Sequence, residues 1–206
     1  MLELLSRLIS TCATSYNIRS NLEAFLVSTG IVALAEIGDK TQLLALLLAA
    51  RFKKPWPIVW GIFVATVLNH AMAGALGAWL TTVISAQTLR YALGASFIAM
   101  AIWMLVPDKL DNSADKQPLR FGVFGTTLVL FFLAEMGDKT QVATVMLAAR
   151  FDAYAAVVAG TTLGMMLANA PVVWLGERMT RLVPLRVVHI ASAIVFLGLG
   201  LFALFG

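Results

Sequence analysis

Three observations predict an all-α integral membrane protein with six transmembrane helices arranged as two inverted three-helix repeats. The first is composition. Of 206 residues 60% are apolar and 13% charged, with mean hydropathy +0.88, which is more apolar surface than a water-soluble core of this size can hide. The second is texture: long apolar runs without period-two alternation fit helices that satisfy their own backbone in lipid, not barrel strands. The third is a repeat. Ala35-Glu36-Ile37-Gly38-Asp39-Lys40-Thr41-Gln42 recurs 99 positions later as Ala134-Glu135-Met136-Gly137-Asp138-Lys139-Thr140-Gln141. At the same offset Leu48-Ala49-Ala50-Arg51-Phe52 returns as Leu147-Ala148-Ala149-Arg150-Phe151, and Gly61 and Gly77 return as Gly160 and Gly176. Two halves of one fold follow.

In a membrane protein the net charge of +4 is a topology signal, and no nucleic-acid partner is expected. The single cysteine, Cys12, excludes an intrachain disulfide and any cysteine metal cluster. Residues 1–21 carry Arg7 and Arg19 without the long apolar core or cleavage site of a signal peptide, and read as an uncleaved extension. The first repeat is expected over 22–106, a cytoplasmic linker over 107–120 and the second repeat over 121–206.

Span one lies within 22–50, 29 residues that as one straight helix would be about 43 Å long against a hydrocarbon core of about 30 Å. Gly38, beside buried charges, is the expected break, because unwound backbone is tolerated at membrane depth only where it faces protein or a wet cavity. Arg51-Phe52-Lys53-Lys54-Pro55-Trp56-Pro57 ends the span with positive charge, prolines and an interfacial tryptophan. Span two, about 58–82, carries Asn69, His70 and the small residues Gly74, Gly77 and Ala78 that allow close helix contact. Span three is expected at about 91–106. Span four, within 121–149, repeats span one with its excess length. Span five, about 154–175, carries Thr161, Thr162, Asn169 and Pro171, and Asn169 falls on His70 at the 99-residue offset. Span six covers about 187–205.

Three spans per half is an odd number, so the second half enters the membrane from the opposite side. The loops joining spans one to two, three to four and five to six hold nine basic residues, against four on the other side, which places both termini outside.

Glu36, Asp39 and Gln42 share one face of a helix at i, i+3, i+6, as do Glu135, Asp138 and Gln141, with Lys40 and Lys139 one turn from the glutamates. Ionisable groups at membrane depth cost several kcal/mol each unless paired or hydrated, so by default they mark function. Inverted repeats bring equivalent elements together near the midplane, where four carboxylates and two amide oxygens would converge. An all-oxygen donor set selects hard cations such as Mn2+, Ca2+ or Mg2+. Two Glu and two Asp against two Lys leave a charge of minus two, which one divalent cation neutralises. An empty site returns to neutrality on taking up two protons, so an electroneutral exchange of two protons for one cation is expected. Thr41, Thr140, Asn69 and Asn169 are candidates to support or line this site. His70 could lend a nitrogen that tilts selectivity toward Mn2+, or serve only as a hydrogen-bonding bridge between helices. If Glu36–Lys40 and Glu135–Lys139 pairs merely locked helices together, Asp39 and Asp138 would be stranded in lipid.

The doubled E-x-G-D-K-[ST] signature in two three-span halves resembles the Gdt-type cation/proton exchanger family, and this short form is similar to its bacterial manganese exporters. The resemblance covers the chain after the N-terminal extension. It implies export of Mn2+, or Ca2+, from the cytosol in exchange for protons. The metal is then substrate rather than cofactor, and the expected location is a bacterial inner membrane. It carries the family's acidic ion-binding residues onto Glu36, Asp39, Glu135 and Asp138. The sequence is also compatible with a homodimer. Two other readings stay open: an amino-acid exporter of related architecture, and a lipid-pyrophosphate phosphatase. The phosphatase would want arginines and a nucleophile beside the carboxylates, and no arginine lies deep in a span.

Overall fold

The computed structural model describes residues 2–106, 121–151, 153–176 and 185–205, with 2–16 and 185 described by backbone only. The expected linker 107–120 and the basic residues within 177–184 lie outside the described residues. Among the described residues all regular secondary structure is helical: α1 (Leu2–Glu36), α2 (Lys40–Phe52), α3 (Pro55–Val83), α4 (Ala86–Trp103), α5 (Gly122–Glu135), α6 (Lys139–Phe151), α7 (Tyr154–Leu175) and α8 (Leu185–Phe205). Four helical stretches are long and apolar enough to cross a membrane: Asn17–Glu36 of α1, α3, α7 and Arg186–Phe205 of α8. The apolar α5 is shorter.

Both overlong spans break where glycine follows the glutamate. Gly38 has φ 85° and Gly137 φ 75°, a left-handed conformation that costs a residue with a Cβ about 1–2 kcal/mol. Each break is a tight turn, with Asp39 N–H donating to the Glu36 carbonyl and Asp138 N–H to the Glu135 carbonyl, both at 3.0 Å. The chain then re-enters a helix at Lys40 and Lys139. The expected break at Gly38 is therefore present, but the i, i+3, i+6 face is not, because the glutamates end one helix and the glutamines belong to the next. The backbone of the N-terminal extension runs into α1 without interruption from Leu2.

Lys53 adopts φ 51° and its N–H closes α2 on the Ala49 carbonyl, after which Pro55 and Pro57 open α3 with fixed φ and no lost hydrogen bond. Span three begins earlier than expected, because Ser85 caps α4 by accepting from Thr88 N–H at 3.3 Å. Near the start of α4, Arg90 donates to the Ala203 carbonyl at 3.0 Å and to the Leu204 carbonyl, satisfying carbonyls in the last turn of α8. Gly94 and Gly200 let α4 and α8 touch, and Phe97 stacks near Phe196 at 6.2 Å.

The halves interlock by exchange. α1 lies along α7, while its counterpart α5 lies along α3. Gly61 of α3 faces the Phe124 carbonyl and Thr127 of α5, and Gly160 of α7 faces the Phe25 carbonyl and Ser28 of α1. All three pairs of equivalent residues are 99 apart, so one contact is made twice. A Cβ at Gly160 would stand 2.5 Å from the Phe25 carbonyl oxygen, and one at Gly61 2.7 Å from Thr127 Cβ. These crossings are close because the residues are glycine. The structure holds two buried apolar clusters, one around Phe97, Met100, Leu147 and Phe196, the other around Leu48, Ile58, Ile62 and Phe131. It also holds a buried polar layer, which includes Glu36, Asp39, Glu135, Asp138 and Asn169.

Candidate cation site

That layer is built from the two breaks. Glu36 is the last residue of α1 and Glu135 the last of α5, and both are fully buried. Asp138, 3% exposed, sits just before α6. Oxygens of Glu36, Glu135 and Asp138 lie within 4.8 Å of one another, so carboxylates from both halves meet in one place. The C-terminal ends of α1 and α5 meet there too, and a helix C-terminus carries the partial negative charge that favours a cation.

The other motif residues hold this arrangement. Thr41 donates its hydroxyl to Glu36 Oε2 at 2.6 Å, and Thr140 donates to Glu135 Oε2 at 2.9 Å. The glutamines tie each break to the opposite half. Gln42 Oε1 accepts from Gly38 N–H at 2.9 Å while its Nε2 donates to the Ala168 carbonyl at 3.0 Å. Gln141 Oε1 accepts from Gly137 N–H at 2.7 Å while its Nε2 reaches Asn69 Oδ1 at 3.4 Å. Residues 69 and 168 are again 99 apart. Both glutamines, expected as amide ligands from the sequence, brace the turns with one lone pair of the same oxygens.

Asn169 Nδ2 donates to Glu36 Oε2 at 3.3 Å, and also to the Met165 carbonyl at 3.2 Å and Sδ at 2.9 Å. Asn69 Nδ2 donates to the Phe132 carbonyl of α5 at 3.1 Å. Among the described residues Lys40 pairs across the halves rather than with Glu36 as one-turn spacing would have it. Lys40 Nζ lies 3.1 Å from Asp138 Oδ1 in the other half, and Lys139 donates to the Val106 carbonyl at 3.3 Å. The break is the cause, since it takes Lys40 off the helix that carries Glu36. Asp39 is buried but stands outside the trio that shares 4.8 Å separations. His70 is fully buried and also stands outside it. Met165 and the Ala168 carbonyl were not legible as site components, although the offset that pairs Ala168 with Asn69 marks the place.

Oxygens in this layer that have no hydrogen-bond donor among the described residues include Glu36 Oε1, Glu135 Oε1, Asp138 Oδ2 and Asn169 Oδ1. All are acceptors. Buried acceptors without donors are expensive unless something positive meets them, and an ion that takes oxygen ligands supplies what the protein lacks.

The sequence model for "Divalent cation/proton antiporter GDT1" matches the chain twice, over residues 24–112 and 123–206. The chain is similar to a protein of Vibrio cholerae named "Putative manganese exporter", 45% identical over 92% of both chains. It is 31% identical to GDT1-like protein sll0615 of Synechocystis over 69% of this chain and 78% of that one. It is 24% identical to the Saccharomyces cerevisiae "Divalent cation/proton antiporter GDT1", over 86% and 81%. No solved structure matches.

Proposed function

The chain belongs to the GDT1 family of divalent cation/proton antiporters, a multi-pass membrane transporter and not an enzyme, and on that premise we propose that it exports Mn2+ from the cytosol in exchange for protons. The reading is carried by one observation: buried carboxylates from both halves converge with acceptor oxygens that no donor meets. Glu36, Glu135 and Asp138 are the proposed ligands, with Asn169 as a neutral oxygen, and Asp39 completes the charge balance. Thr41 and Thr140 orient the glutamates. Lys40 offsets part of the charge so that one divalent cation brings the four carboxylates and two lysines to neutrality, and two protons do the same when the ion has left. A neutral site can change sides in a low-dielectric surround, whereas a site left with two net charges is held back.

In this reading the elements form six spans as two inverted repeats, α1–α2, α3 and α4 against α5–α6, α7 and α8. The twice-made glycine contacts and the glutamine ties support it, because both relate the halves by exchange. The excess of basic residues in alternate loops supports both termini facing outward from a bacterial inner membrane.

Purified protein in proteoliposomes tests the function. A pH gradient should drive Mn2+ uphill against its own gradient, with Ca2+ competing less well, and Mn2+ entry should release a counterflow of protons. Mn2+ flux that is indifferent to an imposed pH gradient would refute proton exchange. No Mn2+ flux beside a robust Ca2+ flux would refute the choice of ion.

A further inference from the structure

We propose that His70 is a nitrogen ligand that joins the carboxylates around the loaded ion and biases the site toward Mn2+ over Ca2+. This rests on the cation site proposed above and deepens it.

The first ground is position. His70 and Asn169 are 99 residues apart, and the register between the halves is kept on either side of them. Nine residues earlier, Gly61 and Gly160 make equivalent contacts, and one residue earlier, positions 69 and 168 receive the two glutamine amides. Asn169 points at the glutamate ending α1, with its Nδ2 3.3 Å from Glu36 Oε2. By the same register residue 70 is the counterpart of Asn169, as Glu135 at the end of α5 is the counterpart of Glu36, and Glu135 Oε1 has no hydrogen-bond donor among the described residues.

The second ground is that His70 is unused. Its side chain is 0% exposed, and neither Nδ1 nor Nε2 has a hydrogen-bond partner among the described residues. A histidine kept as a bridge between helices would make at least one such bond. Leaving both nitrogens without partners carries an uncompensated desolvation cost, which a packing role does not repay. A neutral imidazole offers a lone pair to a metal, and the asparagine in the other half offers only oxygen or N–H.

Chemistry gives the direction of the bias. Ca2+ and Mg2+ take oxygen ligands, while Mn2+ opens the first-row series along which nitrogen donors bind progressively more strongly. A single nitrogen among oxygens therefore favours Mn2+ without excluding the others. Since His70 stands outside the oxygens that lie within 4.8 Å of one another, ligation requires α3 to close on the ion.

The chain has only two histidines, so the test is clean. Pulsed electron paramagnetic resonance of Mn2+ bound to the purified full chain should show nitrogen modulation. That modulation should shift when histidine is labelled with 15N, persist in His189→Asn and vanish in His70→Asn, which copies the residue of the other half. His70→Asn should also lower the ratio of Mn2+ to Ca2+ transport about tenfold. Bound Mn2+ without nitrogen modulation in the unaltered chain overturns the proposal and leaves the carboxylate site standing. An unchanged transport ratio in His70→Asn overturns it as well. If the unaltered chain binds no Mn2+, both readings fall.

Discussion

Replacing Thr41 by valine removes one hydroxyl and little volume, and it isolates the contribution of an oriented carboxylate. In the native site the Thr41 hydroxyl donates to Glu36 Oε2 at 2.6 Å, with both side chains fully buried. The other oxygen, Oε1, is buried with no hydrogen-bond donor among the described residues. A hydrogen bond to a charged group contributes about 1.5–3 kcal/mol, which corresponds to about ten- to hundredfold in an equilibrium constant. Asn169 still donates to the same oxygen at 3.3 Å, so the lower end applies and the KM for Mn2+ should rise about tenfold. Thr41→Ser, which keeps the hydroxyl, should stay within about twofold. Asn169→Ala added to Thr41→Val should cost more than the sum of the two, because the pair share one acceptor. The assay is initial-rate Mn2+ uptake into proteoliposomes at fixed pH gradient, normalised to inserted protein. Thr41→Val with native KM and maximal rate would refute the claim that this hydroxyl organises the site.

Three further outcomes are expected. Gly137→Ala, with no neighbour within 4 Å of the added Cβ but φ 75°, should lower stability by about 1–2 kcal/mol from backbone strain and reduce transport by displacing Asp138; Gly198→Ala, also without a neighbour but inside α8, should do neither in a thermal-denaturation and uptake comparison. In a Cys12→Ser background, a cysteine at Lys54 should resist an impermeant reagent added outside intact cells while one at Gln87 should be labelled, and the reverse pattern would invert the assigned orientation. Voltage set by potassium and valinomycin at equal pH should drive no net Mn2+ movement if two protons exchange for one ion, and strong voltage-driven flux would sink that stoichiometry.

Much of the site was legible because the chain writes it twice. The 99-residue offset picked out Glu36, Asp138 and their counterparts, and a 29-residue apolar segment with a glycine beside charges located the break. What escaped depended on the geometry after the break. One-turn spacing pairs Lys40 with Glu36 only on a continuous helix; once Gly38 takes φ 85°, Lys40 opens a new helix and meets Asp138 instead. The bracing role of the glutamines escaped for the same reason, since only a turn that takes the Gly38 and Gly137 N–H groups out of a helix recruits their oxygens. Sequence identity between the motifs also concealed an asymmetry, with Asp138 inside the trio and Asp39 outside it. The start of α4 was readable in principle from Ser85 and Thr88, a capping pair that apolar-run length alone passes over.

In the proposed function both halves build a single site. Titration of the purified protein with Mn2+, counting free ion by room-temperature electron paramagnetic resonance, tests it directly. A shared site predicts one ion bound per chain, lost in Glu36→Gln and lost equally in Glu135→Gln. Two ions per chain, with either substitution leaving one bound, would mean that each half holds its own ion and would contradict the account.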